Sequence, residues 1–279
     1  MKLNEIKIVA DSSSDIMSLE QVNFSSAPLK IITNDIEYTD DNMLDVRSMV
    51  DSLLNYKGKS STSCPNTADW LSAFGNAKYI FVFTITATLS GSYNSAMHAK
   101  QTYEEEHPER KVFVLNTLTT GPEISLLIDK TQSLILDGLS FDEVCMQINE
   151  YTKNTGLLFM LESMKNLANN GRVSPLVAKV AGLMGIRLIG KASEKGDLEP
   201  LDKCRGVQNA INTLAIRLYE LGYSGAKLKI AHCFNEKSAL ELKKLIIDKF
   251  PEANIEIYAC GGLCSFYAEK GGLLIGFEK

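Results

Sequence analysis

The sequence predicts an α/β protein made of two α/β domains, the N-terminal one built on a mostly parallel sheet flanked by helices. In the first half of the chain, short apolar runs alternate with segments of helical periodicity, which is the pattern of parallel strands joined by helical crossovers. The chain has 279 residues, which suits two domains of ordinary size. The composition changes near residue 155, so we predict domains over residues 1–155 and 156–279.

Five runs in the first half have the length and composition of strands. They are Ile6–Ala10, Pro28–Ile32, Asp35–Tyr38, Tyr79–Phe83 and Lys111–Leu115. Asn34 and Asp35 form a turn signal, so the second and third runs are predicted to pair as a hairpin. Apolar residues three or four positions apart predict helices between and after these strands. The helices are Val46–Leu54, a segment holding Trp70, Leu71 and Phe74, Tyr93–Gln101, a long helix through Leu136, and Phe141–Tyr151.

The second half contains a further set of strands and helices. The predicted strands are Leu157–Met160, Ile186–Gly190, Leu228–His232 and Ile255–Tyr258. The predicted helices are Ser163–Asn169, Pro175–Met184, a long helix opened by Arg205 and Gly206 that runs through Leu221, and Glu236–Phe250. The tail, Gly271–Phe277, is predicted to be an edge or return strand.

The composition is that of a soluble globular protein, with 45% hydrophobic and 23% charged residues. The net charge of −5 and the lack of a basic run argue against a nucleic-acid partner. Glu5 stands where a signal peptide needs its apolar core, and no apolar run is long enough to span a bilayer, so we expect a cytoplasmic protein. The six cysteines form no CxxC motif, which favours free thiols over a metal site.

Two hydroxyl-rich turns are the main candidates for a binding site. Ser61–Asn66 precedes a predicted helix, and Thr84–Ser92 lies between a predicted strand and the next helix. A helix start offers free N–H groups and a partial positive charge, which suit an anion. Neither turn contains Lys or Arg, so a singly charged carboxylate is favoured over a polyphosphate. The alternative is that Ser63, Asn66 and Ser90 are ordinary helix N-caps.

The end of the first predicted strand is a third candidate. Asp11–Asp15 contains two acids around three serines, including Ser12. Strand ends of open α/β sheets commonly meet at a ligand crevice. Turn and cap chemistry is the alternative, and a magnesium ion held by the two acids is another.

Six motifs spread over nearly the whole chain carry a family resemblance. They are Asp11–Asp15, Pro28-Leu29 with Tyr38–Asp40, Thr62–Pro65, Leu89–Tyr93, Asn170–Ser174 and Lys203–Gly206. In this order they resemble the DegV family of bacterial fatty-acid-binding proteins. The resemblance implies two α/β domains with a long-chain fatty acid, such as palmitate, in a tunnel between them. It also implies a lipid carrier, with no enzymatic activity and no cofactor, that presents the acid to a fatty-acid kinase and allows transient contact with a membrane surface.

The resemblance also implies which residues hold the ligand. Thr62 and Ser90 match the family positions that hold the carboxylate. Arg172 and Arg205 match family arginines near the head-group opening or the kinase-docking face. The predicted ligand-binding set is Thr62, Ser63, Ser90, Gly91, Ser92, Ser12 and Arg172.

This chain departs from the family pattern in two places. Cys64 stands where the family usually has Gln. The family also has a histidine before a C-terminal Gly-Pro-Gly, whereas the corresponding run here, Leu263–Gly272, contains no histidine. We therefore expect this chain either to replace that histidine or to lack the step that it serves.

Apolar residues of the second half are candidates for the tunnel wall, with plain core packing as the alternative. They are Leu157, Phe159, Met160, Leu176, Val180, Leu183, Met184 and Ile186.

Two other functions remain open from the sequence. A serine esterase or acyl hydrolase would need Ser63 or Ser90 activated by His232, although no GxSxG motif is present. A regulatory module with a bound lipid is the other alternative.

Overall fold

A computed structural model describes residues 1–174 and 185–279. The predicted helix over residues 175–184 lies outside these described residues, as do the predicted wall residues Leu176, Val180, Leu183 and Met184. The strands are β1 Ile6–Asp11, β2 Phe24–Ala27, β3 Lys30–Ile32, β4 Glu37–Thr39, β5 Ser61–Ser63, β6 Tyr79–Thr84, β7 Lys111–Asn116, β8 Thr155–Leu161, β9 Ile186–Ala192, β10 Leu198–Arg205, β11 Leu228–His232, β12 Ile255–Ala259 and β13 Leu273–Glu278.

The described helices alternate with these strands. They are α1 Val46–Asn55, α2 Thr67–Phe74, α3 Ser92–Glu106, α4 Pro122–Leu136, α5 Phe141–Tyr151, α6 Lys165–Asn169, α7 Val207–Glu220, α8 Glu236–Lys249 and α9 Gly262–Ala268. Within the described ranges, no helix is both long and apolar enough to cross a membrane. We call residues 1–154 the N-terminal half and residues 155–279 the C-terminal half.

The first sheet has the order β2-β1-β6-β7, and every pair in it is parallel. Alternate residues of its strands face different helices. Ile8 and Phe81 belong to a core cluster with α4 and α5, whereas Val9 and Val82 belong to a cluster with α2 and α3. Both faces are therefore buried, which explains why these strands are continuous apolar runs. The predicted mostly parallel sheet flanked by helices is confirmed.

The second sheet, with the order β10-β9-β8-β13-β11-β12, is mixed: only β11 and β12 are parallel. β13 lies in its interior, antiparallel to both β8 and β11. The tail is therefore a return strand, and the alternative of an edge strand is wrong. Residues 273–277 are all buried because α4 covers one face of the sheet and the α7–α8 layer covers the other.

A third, small sheet has the order β4-β3-β5 and is antiparallel. The predicted hairpin around Asn34 and Asp35 is confirmed as β3–β4. Ser61–Ser63 were predicted to lie at a helix start, and this is wrong. They form β5, and α2 begins only at Thr67, where Asn66 caps it by accepting a hydrogen bond from the Asp69 N–H.

Helix α9 belongs to the C-terminal half but packs against α1 and β3 of the N-terminal half. Its first backbone N–H groups donate to two buried carboxylates. Gly261 N donates to Asp15 Oδ1 at 2.9 Å, while the N–H groups of Gly262 and Leu263 donate to Asp40 at 2.7 and 2.9 Å. α9 therefore ties the two halves together. The division into domains at residue 155 stays a prediction, although β8 begins the second sheet at Thr155.

Candidate functional site

A cavity of about 280 Å³ lies between the two halves. This volume is near the lower end of the roughly 300–1,000 Å³ that is typical of small-molecule sites. Its described apolar wall comes from both halves: Leu29, Ile85, Leu89, Leu157, Phe159, Leu161, Leu167, Leu198, Leu263, Ala268 and Leu274. Its described polar and sulfur-bearing wall consists of Thr62, Ser63, Cys64, Ser90, Gly91, Thr120, Arg172, Cys264 and Tyr267.

The wall follows from the alternation of side chains along β8. Leu157, Phe159 and Leu161 point to the cavity side of the sheet. Met160 points to the opposite side, where it packs in the core with α7 and α8. Met160 was predicted as a wall residue, and this is wrong because the strand period of two places it on the other face. Ile186, also predicted, is not among the described wall residues.

Thr62 is tied to the C-terminal half by a hydroxyl–hydroxyl hydrogen bond. Its Oγ1 lies 2.7 Å from Tyr267 Oη on α9. The guanidinium carbon of Arg172 lies 6.0 Å from the centre of the Tyr267 ring. A hydroxyl pair and a permanent cation therefore stand together at one part of an otherwise apolar cavity.

Arg172 is positioned by backbone carbonyls of both halves. Its Nε donates to Leu89 O at 3.1 Å, and its Nη1 donates to the carbonyl of Asn170. Leu89 belongs to the second hydroxyl turn and directly precedes Ser90, so the Arg172 charge is held beside Ser90. The structure thus brings Thr62, Ser63, Ser90, Gly91 and Arg172 of the predicted set to one cavity.

The second hydroxyl turn forms the start of α3, as the sequence predicts. Gly91 is the N-cap residue, and Ser90 Oγ accepts a hydrogen bond from the Ser92 N–H at 3.2 Å. A β-carbon on Gly91 would lie 3.2 Å from Cys64 Sγ, so the absence of a side chain lets the α3 start approach the end of β5. The two hydroxyl turns meet at this point.

Ser12 and Ser92 lie behind the cavity rather than in its described wall. Ser12 Oγ accepts from the Leu29 N–H at 3.0 Å, and Ser92 Oγ donates to Asp11 Oδ2 at 2.5 Å. Asp11 also accepts from Ser13 Oγ and from the Ile85 N–H. Burial raises the pKa of Asp11 against the opposing effect of these hydrogen bonds. This buried network fixes the turn that carries Ile85 and the start of α3.

The thiols and the phenol in the wall keep their protons near neutral pH. Burial raises the pKa of Cys64, of Cys264 and of Tyr267, although Thr62 and Arg172 oppose the effect at Tyr267. A neutral phenol is a hydrogen-bond donor, and a protonated thiol is a poor nucleophile. The described wall therefore suits binding better than covalent chemistry.

Two other residues singled out in the sequence lie away from this wall. His232 ends β11, its Nδ1 is buried without a partner among the described residues, and burial lowers its pKa. Arg205 is exposed at the end of β10. Neither is among the described wall residues.

Tyr267 was missed in the sequence because α9 itself was missed. The segment holds a helical signal, since Leu263, Phe266 and Tyr267 have helical spacing after Gly261 and Gly262. The sequence analysis noted only that this segment lacks the family histidine. In the structure, Tyr267 of the same segment contributes a hydroxyl to the cavity wall.

An apolar cavity between two α/β halves, with hydroxyls and a cation at one part of its wall, defines a binding protein for an amphipathic anion. A family model described as "Uncharacterised protein, DegV family" matches residues 5–279. This chain belongs to the DegV family. A DegV domain-containing protein of Streptococcus pneumoniae is 44% identical over 276 residues, which is 98% of each chain.

Two solved structures are similar over nearly their whole length. A DegV family protein from Eubacterium eligens, loaded with heptadecanoic acid, has a TM-score of 0.96 and 43% identity. The Fatty Acid Kinase (Fak) B3 protein of S. pneumoniae, loaded with linoleic acid, has a TM-score of 0.96 and 44% identity. In both comparisons the match covers 98% of this chain and 99% of the other.

Proposed function

We propose that this chain binds one long-chain fatty acid in the cavity between its halves and carries it to a fatty-acid kinase. The carboxylate lies at Thr62, Ser90 and Arg172, and the acyl chain lies against the apolar wall. The main support for the proposal is that the wall of one apolar cavity contains a hydroxyl pair and an arginine. The fatty acids bound by the two similar proteins support it.

The acyl chain supplies most of the binding free energy. Burying a sixteen-carbon chain gains on the order of 10 kcal/mol, at about 0.8 kcal/mol per methylene. Association and ordering take back several kcal/mol of this gain. The head group then adds about 1.5–3 kcal/mol for each hydrogen bond to the charged carboxylate. The acyl chain therefore supplies most of the affinity, and the carboxylate determines the orientation of the ligand.

The Thr62–Tyr267 pair is ready to receive a carboxylate. Two hydroxyls joined by one hydrogen bond use one proton and leave the other free. The free proton is a donor for one carboxylate oxygen, and the Arg172 guanidinium supplies a nearby positive charge. The Tyr267 hydroxyl takes the place of the family histidine as a neutral donor.

We propose a carrier rather than an esterase, and the geometry of the described residues supports the choice. Acyl transfer needs a base within hydrogen-bond reach of the nucleophile. The described cavity wall offers no histidine or carboxylate beside Ser63 or Ser90. A chromogenic ester assay decides the point: hydrolysis by the wild type that Ser90→Ala abolishes would establish an enzyme.

The proposal is tested by its ligand. Lipids extracted from the purified protein are identified by mass spectrometry, and the delipidated protein is titrated with palmitate. We expect one fatty acid per chain. Failure to extract or titrate any fatty acid would contradict the proposal.

The carrier step is tested separately from binding. The loaded protein is incubated with a fatty-acid kinase and ATP, and the acyl phosphate is measured. Binding without phosphorylation would leave a regulatory lipid-binding module as the better description.

A further inference from the structure

Gly190 lies in the middle of β9, directly opposite Phe159 of β8. A β-carbon on Gly190 would stand 2.3 Å from Phe159 Cζ, 2.6 Å from Phe159 Cε2 and 2.6 Å from the backbone carbonyl oxygen of Glu199 on β10. The Phe159 ring therefore lies over the bare backbone of the glycine. Gly190 is not one of the glycines with positive φ, so its backbone conformation does not explain the residue. The close approaches of the ring and of the Glu199 carbonyl oxygen do.

The position of the ring shapes the cavity. Phe159 is in the cavity wall between Leu157 and Leu161, on the face of the sheet that looks toward the N-terminal half. A side chain at position 190 would point to this same face, because directly paired residues share a face. The ring would then have to move off β9, and the β10 backbone at Glu199 would have to shift as well. The open space on that face is the cavity itself.

The same sheet contains a second glycine beneath an aromatic ring. This second pair shows what such a glycine does where its ring does not face the cavity. Gly156 of β8 lies opposite Phe277 of β13, and a β-carbon there would stand 2.7 Å from Phe277 Cζ. Phe277 belongs to the core on the opposite face, together with Leu158 and Leu228. Both glycines support a ring, but only the Gly190 ring faces the cavity.

We propose that Gly190 determines the acyl-chain length that the cavity accepts, by letting the Phe159 ring lie flat. With the Phe159 ring packed against β9, the cavity has room for a long acyl chain. With the ring displaced from β9 into the cavity, the cavity favours a shorter acyl chain. This inference rests on the proposed function, since it concerns the acyl chain of the bound fatty acid.

Delipidated wild type and variants are titrated with saturated acids of fourteen and eighteen carbons, and the ratio of the two affinities is measured. For Gly190→Ala we expect the ratio to shift roughly tenfold toward the shorter acid, which is the usual effect of small changes in a hydrophobic pocket. For Phe159→Leu we expect a shift toward the longer acid. In the double variant, alanine at position 190 should no longer favour the shorter acid, because no ring remains to be raised.

Gly156→Ala is the matched control. It overpacks the same sheet from the other face, so it should lower the unfolding temperature while leaving the affinity ratio within twofold of the wild type. An unchanged ratio in folded Gly190→Ala overturns the inference and leaves fatty-acid binding intact. If Gly190→Ala does not fold, Phe159→Leu decides, and an unchanged ratio there overturns it. A wild type that binds neither acid overturns the proposed function and this inference together.

Discussion

The hydrogen bond between Thr62 and Tyr267 joins residues 205 positions apart in the chain. It connects β5 of the small sheet to α9 of the C-terminal half, and both residues line the cavity. A bond of this kind has two effects at one place, since it holds the cavity wall together and it presents a donor to the ligand. These effects separate when each hydroxyl is removed in turn.

Thr62→Val and Tyr267→Phe should each weaken fatty-acid binding by less than about 1.5–3 kcal/mol, the range for a hydrogen bond to a charged group, because either hydroxyl alone keeps a proton to donate. The double variant removes both donors, so its loss should exceed the sum of the two single losses. Isothermal titration with palmitate measures these differences. Tyr38→Phe is the control, since Tyr38 bonds Ser52 at the surface. Additive losses would show that the two hydroxyls bind independently.

Asp15 is a second residue with a testable role, because its ionisation should affect the stability of the folded protein. Its Oδ1 accepts from the Gly261 N–H, and its Oδ2 is buried. Burial, assisted by the charge of Asp40, raises the pKa of Asp15 to about 8. The folded protein therefore holds a proton that the unfolded chain loses near pH 4.

This proton makes stability depend on pH. The contribution of Asp15 is fully present below about pH 4 and is lost as the pH rises toward about 8. Asp15→Asn removes the dependence and keeps an oxygen for the Gly261 N–H, and Asn suits the left-handed backbone at φ 59°. Relative to the wild type, we expect the variant to gain more than about 1 kcal/mol at pH 8 and little at pH 4.5. Thermal unfolding at both pH values measures the gain.

The matched control for this substitution is Asp35→Asn, at an exposed turn position. It should leave the difference between the two pH values as it is in the wild type. A gain for Asp15→Asn that is equal at pH 4.5 and pH 8 would show that proton binding at Asp15 does not contribute.

At the scale of elements, α9 decides whether the cavity has a closed wall. The helix is only seven residues long, so its own backbone bonds contribute little stability. Its place depends on Asp40, which is 1% exposed and accepts from the N–H groups of Gly262 and Leu263. Negative charge at a helix N-terminus is favourable, so the anchor acts through both hydrogen bonds and the helix dipole.

Asp40→Ala should release the start of α9. We expect a loss of about 2–4 kcal/mol in the free energy of unfolding, since two buried N–H groups lose their acceptor. Amide exchange should quicken in residues 261–268, and palmitate affinity should fall because Tyr267 and Leu263 leave the wall. Asp41→Ala removes the neighbouring, partly exposed acid and serves as the control. Unchanged amide exchange in α9 would show that Asp40 is not its anchor.

The elements differ in how well the sequence predicts them. β1, β6 and β7 were predicted because each is a run of apolar residues bounded by polar ones, so local pattern and tertiary burial agree. β5 was not predicted, because Ser61–Ser63 has no apolar pattern and forms a strand only through pairing with β3. The pairing of Tyr267 with Thr62 was not predicted either, because the two residues are 205 positions apart in the chain. The site depends on contacts that no local pattern contains.

At the scale of the whole molecule, the two halves enclose the ligand, so binding and folding are linked. Beyond the cavity, the halves also meet at a charge cluster around the buried Lys229. Lys229 of β11 is 4% exposed and donates to Ser125 Oγ at 2.8 Å and to Asp129 at 2.7 Å on α4. Polar contacts through α4 and through α9 are thus among those that join the halves. A fatty acid adds an apolar contact between them.

A bound acid should therefore stabilise the folded chain. For a ligand that binds only the folded state, the gain is about 2.7 kcal/mol at a free concentration one hundred times its Kd. Delipidated protein should unfold several degrees lower than protein saturated with palmitate, as measured by calorimetry. Hexadecanol has the same chain without the carboxylate, so at equal free concentration its shift should be smaller. In Thr62→Val the palmitate shift should fall toward the hexadecanol shift, because that variant removes part of the head-group contribution. If palmitate and hexadecanol raise the unfolding temperature of the wild type equally, the hydroxyls and the arginine do not contribute to recognition of the carboxylate.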